Sequence, residues 1–291
     1  MTKSRNFSTC YLIGDGSLPV ACSHTLRRHG IHVSGILPMG STFHKWGQAN
    51  GVKVFPSLDA FNKTASAVDY IFSLGNPIIL PEKTLFFAKK NCVNYHDGPL
   101  PNYSGVNVPM WAILNGEERH GITWHVMNKT VDTGDILLQR FIELSPTDTT
   151  TTLNKKCYQE ALNSFEDLVD GIVNSNIVPV RQDLSKRRYY PLHTKLFENS
   201  LVDWNSTAEK IDRFCRALSF VDHLGIDRSA KVNLYNENYT IGKYFITNNK
   251  STLEPGTLTR AQESFGVDIA TQSFDIRILS VKKNDGEIVS T

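Results

Sequence analysis

No apolar run in this 291-residue chain reaches the roughly 18 to 20 residues that a membrane-spanning helix needs, and the opening MTKSRNFST lacks the apolar core of a signal peptide. A cytoplasmic location is the expectation. Cysteine is sparse as well. Cys10, Cys22, Cys92, Cys157 and Cys215 are an odd number, scattered and without a CxxC pair, which gives no zinc or disulfide framework and fits reduced, buried thiols. The nine histidines do not cluster as ligands. His120 and His125 flank a strand at a spacing that points them to opposite faces, so no catalytic metal is expected. Excess charge is also missing: the formal net charge is +2, and from Ser200 onward eleven Lys/Arg stand against twelve Asp/Glu. A surface that grips a polyphosphate backbone needs several unpaired cations, because its affinity comes from counterion release. Nucleic acid is therefore not the expected partner.

What remains is the composition of an ordinary globular protein, 40% hydrophobic and 21% charged, long enough for two domains with real cores. The first 95 residues alternate strand and helix signals. CYLIG leads into SLPVACSHTLRRHG, whose Leu18, Ala21 and Leu26 form an apolar face; IHVSGIL, VKVF, SLDAFNK and VDYIFSL follow. A helix over 84–91 is expected to feed the short strand CVNY. Strands separated by crossover helices imply a parallel, doubly wound α/β sheet. The first strand runs into GDGSLP, but the third glycine and the acidic residue of a dinucleotide fingerprint are both missing.

Further on, VNVPMWAILNGEE reads as a helix, GITWHVM and ILLQRFIEL as strands joined by the turn-rich TVDTGD, and 149–175 as a long helix burying Leu153, Cys157, Leu162, Phe165 and Leu168. KRRYYP reads as the start of a surface linker. The expected division is a catalytic domain over 1–185, a linker over 186–200 and a second domain over 201–291. That second domain opens with a helix capped by Ser206 and Glu209, with Ile211, Phe214, Cys215 and Leu218 on one face. Then the period falls to two. KVNLYN, YTIGKYFIT, GTLTR, GVDIAT and FDIRILSVKK predict about five antiparallel strands, a small, partly open, OB-like β-barrel.

Chemistry concentrates in NYHDGPLPNYSG, residues 94–105. Polar groups at the C-terminal end of a buried strand are where α/β proteins place active sites. Asn94 and His96, two apart, point the same way, and Asp132 lies in the turn between two strands of the same sheet. An imidazole beside a carboxylate is a better base, and an amide N–H can donate to an oxyanion. Together they describe acyl transfer without a covalent enzyme intermediate. By themselves Trp124 and His125 read as packing and surface groups.

The pattern Asn94-Tyr95-His96, the Leu100-Pro101 corner, Gly105 and the Asp132-Thr133-Gly134-Asp135 loop resembles the folate-dependent formyltransferase family. NPIILPEKTL and LVDWNSTAEKIDRFCRAL with the small barrel are also similar to family segments, the latter to the C-terminal domain of methionyl-tRNA formyltransferase and its relatives. The resemblance implies a Rossmann-like catalytic domain, Asn94, His96 and Asp132 as the catalytic trio, and 10-formyl-tetrahydrofolate as donor. It also implies a pterin site near Ile79, Leu80, Val131 and Asp135, with Gly98, Pro99, Leu100 and Pro101 as one wall. Asp97 departs from the family's usual small residue; it either caps the turn or touches the acceptor.

The tRNA-modifying members carry a basic insertion after the second strand, where this chain reads LPMGSTFHKWGQANGVKVF with only Lys45 and Lys53. The GPLP corner and its surroundings look most like the formyltransferase domains at the start of nonribosomal peptide synthetases. That implies an aminoacyl carrier protein, presenting its phosphopantetheine arm, as partner, or otherwise a small-molecule amine; an ending soon after the barrel suits a domain cut from such an assembly. The alternatives are an amino-sugar nucleotide formyltransferase, using Trp111 and Tyr103, a 10-formyl-tetrahydrofolate hydrolase, and a catalytically idle docking module.

Overall fold

Seven residues in the extended state, Ser8–Gly14 (β1), open the chain described by the computed structural model, which covers residues 8–192, 194, 200–221, 225–234, 237–261, 266–283 and 287–290. Two compact units emerge. The first takes in the chain up to Val108, Arg119–Glu143 and Asn154–Tyr190; the second Pro109–Glu118, Leu144–Leu153 and the chain from Pro191.

In the first unit β1, β2 (Ile31–Pro38), β3 (Val68–Leu74) and β4 (Ala88–His96) lie in the order β2-β1-β3-β4, all parallel. Their apolar runs suit strands covered on both faces. The crossovers are α1 (Leu18–Arg28), which starts at Leu18-Pro19 and ends with Arg27 and Arg28 in its last turn, then α2 (Ser41–Ala49) and α3 (Leu58–Thr64), the last capped by Ser57. Under the sheet Tyr11, Phe55 and Phe61 meet edge to face with centroids 4.8 to 5.5 Å apart, beside buried Leu80 and Cys92.

Two sequence expectations fail here. VKVF forms no strand; Val54 makes only an isolated bridge to Ile36. The helix expected over 84–91 is a single turn, α4 (Glu82–Leu85), and β4 already begins at Ala88. There the ladder to β3 competes for the same backbone: Val68 N–H donates to Phe87 O at 2.8 Å and Val68 faces Ala88. Tertiary pairing overrides local helix preference.

After the two-residue β5 (Ser104–Gly105) and helix α5 (Val108–Asn115), β6 (Arg119–Val126) pairs antiparallel with the end of β4, and β7 (Ile136–Glu143) pairs antiparallel with β6. The sheet thus becomes six-stranded and mixed, β2-β1-β3-β4-β6-β7. Helix α6 (Thr150–Val173) lays Cys157, Ala161, Phe165 and Leu168 inward, Ala161 taking the place expected of half-buried Leu162. Its Ser164 Oγ accepts from Trp124 Nε1 at 3.0 Å, and Phe165 meets the Trp124 ring at 5.1 Å. KRRYYP is not a free linker throughout: β8 (Tyr189–Tyr190) pairs with β5, and Tyr190 stacks on Tyr103 at 5.3 Å. Residues 193 and 195–199 of the expected linker lie outside the described residues.

In the second unit α7 (Ala208–Ala217) is capped by Thr207, whose hydroxyl accepts from Lys210 N, rather than by Ser206, which donates to Asp203. Ala208, Ile211, Cys215, Ala217 and Leu218 are buried, and Phe214 only half so. Among the described residues eight short strands follow: β9 (Lys231–Leu234), β10 (Glu237–Ile241), β11 (Tyr244–Ile246), β12 (Leu258–Ala261), β13 (Val267–Ile269), β14 (Ile276–Ile278), β15 (Ser280–Lys282) and β16 (Ile288–Ser290). They form two four-stranded antiparallel sheets, β16-β15-β10-β9 and β11-β14-β13-β12. The count exceeds the expected five because YTIGKYFIT and FDIRILSVKK each break where the chain passes between sheets, and because β16 adds a strand that the sequence reading does not include. At that corner the Lys243 carbonyl accepts from both Leu279 N and Ser280 N. Arg277 grips buried Asp268 through two N–H groups, at 2.5 and 2.7 Å. Among the described residues no helix is long and apolar enough to cross a membrane, and no three His, Cys, Asp or Glu stand together as a metal-ligand set.

Candidate active site

The end of β4 presents Asn94 and His96, and each is paired across the strand boundary with a polar residue of β6: Asn94 with His125, His96 with Thr123. The ring of His96 is 5% exposed, and its Nε2 lies 2.5 Å from the carbonyl oxygen of Tyr103. A carbonyl can only accept, so Nε2 carries the proton. Nδ1 is thereby left facing Asp132 Oδ2 at 3.8 Å and Asp97 Oδ1 at 3.9 Å.

His125, expected at the surface or in packing, is buried inside this group. Its Nδ1 is 2.9 Å from the Val126 carbonyl and so donates; Nε2 then accepts an N–H of Asn94 at 3.2 Å and lies 3.7 Å from Asp132 Oδ1. Burial pushes its pKa well down despite the nearby Asp132 carboxylate, and the neighbouring His96 acts in the same direction as burial. A neutral His125 therefore holds the side-chain amide of Asn94 in one orientation, with its second N–H open. Trp124, its neighbour, is core.

Asp132 sits in the left-handed region at φ 57°, a strained setting for a non-glycine residue. Several contacts keep it there. Oδ2 accepts from Gly105 N at 2.8 Å, while buried Gln182 donates through Nε2 to the carbonyls of Asp132, at 3.1 Å, and Gly134, at 2.6 Å. The corner is braced in turn by Thr123, whose hydroxyl donates to Gly98 O at 2.7 Å and accepts from Leu100 N at 3.1 Å. Gln139 Nε2 donates to both Leu100 O and Thr123 Oγ1, at 2.9 Å each. Gly98 packs tightly against this ring: a Cβ there would lie 2.9 Å from His96 Nε2 and 2.6 Å from the Tyr103 carbonyl.

The remaining sequence-derived positions separate. Ile79 is 74% exposed and Asp135 is exposed, Val131 and Pro99 are half-buried, Pro101 is half-buried after a cis peptide, and Leu100 is buried. Leu80 packs into the core beneath the sheet. His125, Gln182, Thr123 and Gln139 belong to this cluster and are missed by sequence reasoning. The only local signal for His125 is a polar residue inside the apolar run of GITWHVM.

His120 supports the corner from the other side, its Nε2 donating to the carbonyl of Asp97 at 2.7 Å. Burial lowers its pKa from 6.5 to about 4. Unfolding then takes up a proton between those values, so the stability it confers is whole above about pH 6.5 and drains away as pH falls toward 4. The expected loss is up to about 3 kcal/mol. Urea denaturation from pH 7 to 4 tests this, and the decline should be smaller in His120→Asn; equal slopes in the two proteins contradict the assignment.

Comparison with known proteins gives a consistent neighbourhood. The family model described as formyl transferase matches residues 58–168, and that of the formyl transferase C-terminal domain matches 197–291. The methionyl-tRNA formyltransferase of Caldanaerobacter subterraneus subsp. tengcongensis is 35% identical over 140 residues, 48% of this chain and 45% of that protein. The chain spans about half the length of several such curated relatives it matches. Among solved structures, WlaRD, a sugar 3N-formyl transferase crystallised with dTDP and 5-N-formyl-THF, superposes with a TM-score of 0.72 at 18% identity, covering 94% of this chain and 97% of WlaRD. HypX from Aquifex aeolicus in complex with tetrahydrofolic acid gives 0.66 at 16%, covering 97% of this chain and 46% of HypX.

Proposed function

Because the chain belongs to the folate-dependent formyltransferase family, we propose that it transfers a formyl group from 10-formyl-tetrahydrofolate to a primary amine, with Asn94, His96 and Asp132 as the catalytic trio. The observation that carries this reading is the meeting of three groups at one point, with Asp132 Oδ2 3.8 Å from His96 Nδ1 and Oδ1 3.7 Å from the histidine that orients Asn94. Each group has distinct work. The Tyr103 carbonyl fixes His96 with its Nδ1 lone pair available, so this nitrogen accepts an amine proton, and Asp132 favours the resulting imidazolium. Asn94 keeps one N–H for the formyl oxygen as that oxygen gains negative charge. His125 stays neutral and positions Asn94.

The residues fit a folate. Ser73 pairs with Asn94, so the segment that leaves β3 emerges beside the trio, and it carries Ile78 and Ile79 exposed at 38% and 74%. An uncovered apolar edge next to polar loops suits a flat heteroaromatic ring with a hydrogen-bonding rim. Ile79, Val131 to Asp135 and the Gly98–Pro101 corner hold the pterin in this reading, Leu80 contributing through its backbone. The folate supplies the activated formyl carbon when bound.

For the acceptor, the modest charge and the GPLP corner support a carrier-bound aminoacyl thioester in nonribosomal peptide synthesis. A second reading, an amino-sugar nucleotide, is supported by likeness to sugar formyltransferases along nearly their whole length. The test is to incubate the protein with 10-formyl-tetrahydrofolate and an alanyl-loaded carrier protein, then with a dTDP-amino sugar, following folate release and product mass. A formyl mass gain on the carrier supports the first acceptor, and a gain on the sugar the second. Folate release without either acceptor points to hydrolysis, and no release at all to an idle docking module.

A further inference from the structure

Asp97 follows the catalytic imidazole directly and is not used by the mechanism above. Its main chain is anchored, since the carbonyl accepts from His120. Its carboxylate is met by its own backbone N–H and takes no hydrogen bond from the Gly98–Pro101 turn, whose Leu100 N–H goes to Thr123 instead, so it does not cap that turn. Whereas the side chains of His96 and Asp132 are 6% and 7% exposed, that of Asp97 is 38% exposed. Among the described residues its ion-pair partner is His96, 3.9 Å away at Nδ1, and no lysine or arginine neutralises it. Even with this exposure, the surrounding protein removes enough water to raise its carboxyl above the ordinary range; His96 opposes the rise and Asp132 adds to it.

Two carboxylates thus approach the same nitrogen with different commitments. Asp132 is buried and held by Gly105 N–H, while Asp97 is more open and is met only by its own backbone N–H among the described residues. An α-amino group has a pKa near 8 in water, so most of an incoming amine arrives as ammonium and must lose a proton before it can attack. We infer that Asp97 is a further catalytic residue, which binds the acceptor as a primary ammonium ion and takes its first proton. This rests on the formyl-transfer reading. The ammonium R–NH3+ gives one proton to the Asp97 carboxylate, and the freed lone pair forms the N–C bond to the formyl carbon. The second amine proton passes to His96 Nδ1 and from there to N10 of the folate as the C–N10 bond breaks. The products are R–NH–CHO and tetrahydrofolate, and Asp97 returns its proton to solvent. The acceptor class is therefore a basic alkylamine rather than water or a weakly basic nitrogen.

The experiment compares wild type with Asp97→Asn and Asp97→Ser, using 10-formyl-tetrahydrofolate with alanyl-S-pantetheine or with hydroxylamine, which is neutral at the assay pH. The expected result is a loss of about 100-fold in kcat/KM with alanyl-S-pantetheine, the size of a general-base contribution, and a loss at least about tenfold smaller with hydroxylamine. KM for the folate should stay within about twofold in either variant, because uniform binding of the donor is untouched. Equal losses with both nucleophiles, or no loss, overturn the role of Asp97 while leaving formyl transfer standing. A wild type that formylates hydroxylamine but not alanyl-S-pantetheine also overturns it. A wild type that formylates neither overturns the formyl-transfer reading as well.

Discussion

His96→Ala is expected to lower kcat/KM for formyl transfer by about 10³-fold, within the range of a positioned acid-base group. The imidazole faces both carboxylates through Nδ1, at 3.8 and 3.9 Å, while its Nε2 is committed to the Tyr103 carbonyl. The substitution also removes the hydrogen bond from His96 to the Tyr103 carbonyl, at a stability cost of about 1 kcal/mol. Activity must therefore be read well below the melting temperature of the variant, alongside folate binding by calorimetry. Unchanged folate affinity with lost turnover assigns the effect to chemistry. Transfer within about tenfold of wild type would remove His96 from the mechanism and leave Asp132 and Asn94 without a proton carrier.

How far the sequence foretells this site depends on whether the contacts are local. Asn94 and His96 are legible because a strand repeats every two residues, and Asp132 because turn formers isolate it between two apolar strands. The parallel sheet is legible from the alternation of elements. By contrast, His125 enters the site through a register, Asn94 opposite His125, that only the folded β4–β6 ladder defines. Gln182 lies fifty residues from the loop it holds. Thr123 and Gln139 brace the corner from two strands that the sequence identifies without fixing their pairing. The start of β4 escapes a local reading for the same reason: residues 88–91 prefer helix locally and are recruited by β3. In the second unit, breaks of one or two residues at sheet corners are invisible to a period-two pattern.

Gly105→Ala is expected to damage stability and catalysis together. Gly105 has φ 103°, a conformation L side chains rarely adopt, and a Cβ there would lie 2.0 Å from the Tyr190 carbonyl oxygen, in the β5–β8 pair. The strand pair must open, or the backbone must rotate. Either response moves the Gly105 N–H that donates to Asp132 Oδ2. Backbone strain and overpacking together predict a loss of about 2 to 4 kcal/mol, with kcat reduced about 100-fold as Asp132 loses the donor that fixes its carboxylate. Gly51→Ala is the matched control, since Gly51 also has positive φ, 63°, but a Cβ there would meet nothing within 4 Å. It should cost about 1 to 2 kcal/mol, the left-handed penalty alone, and leave kcat intact. Denaturant midpoints and kcat for the two variants separate the terms: the difference in stability measures the clash with Tyr190, and a fall in kcat confined to Gly105→Ala measures the dependence of Asp132 on that one N–H. If both variants lose the same stability and both keep full turnover, the Tyr190 carbonyl yields freely and the Gly105 donor does not set the geometry of Asp132.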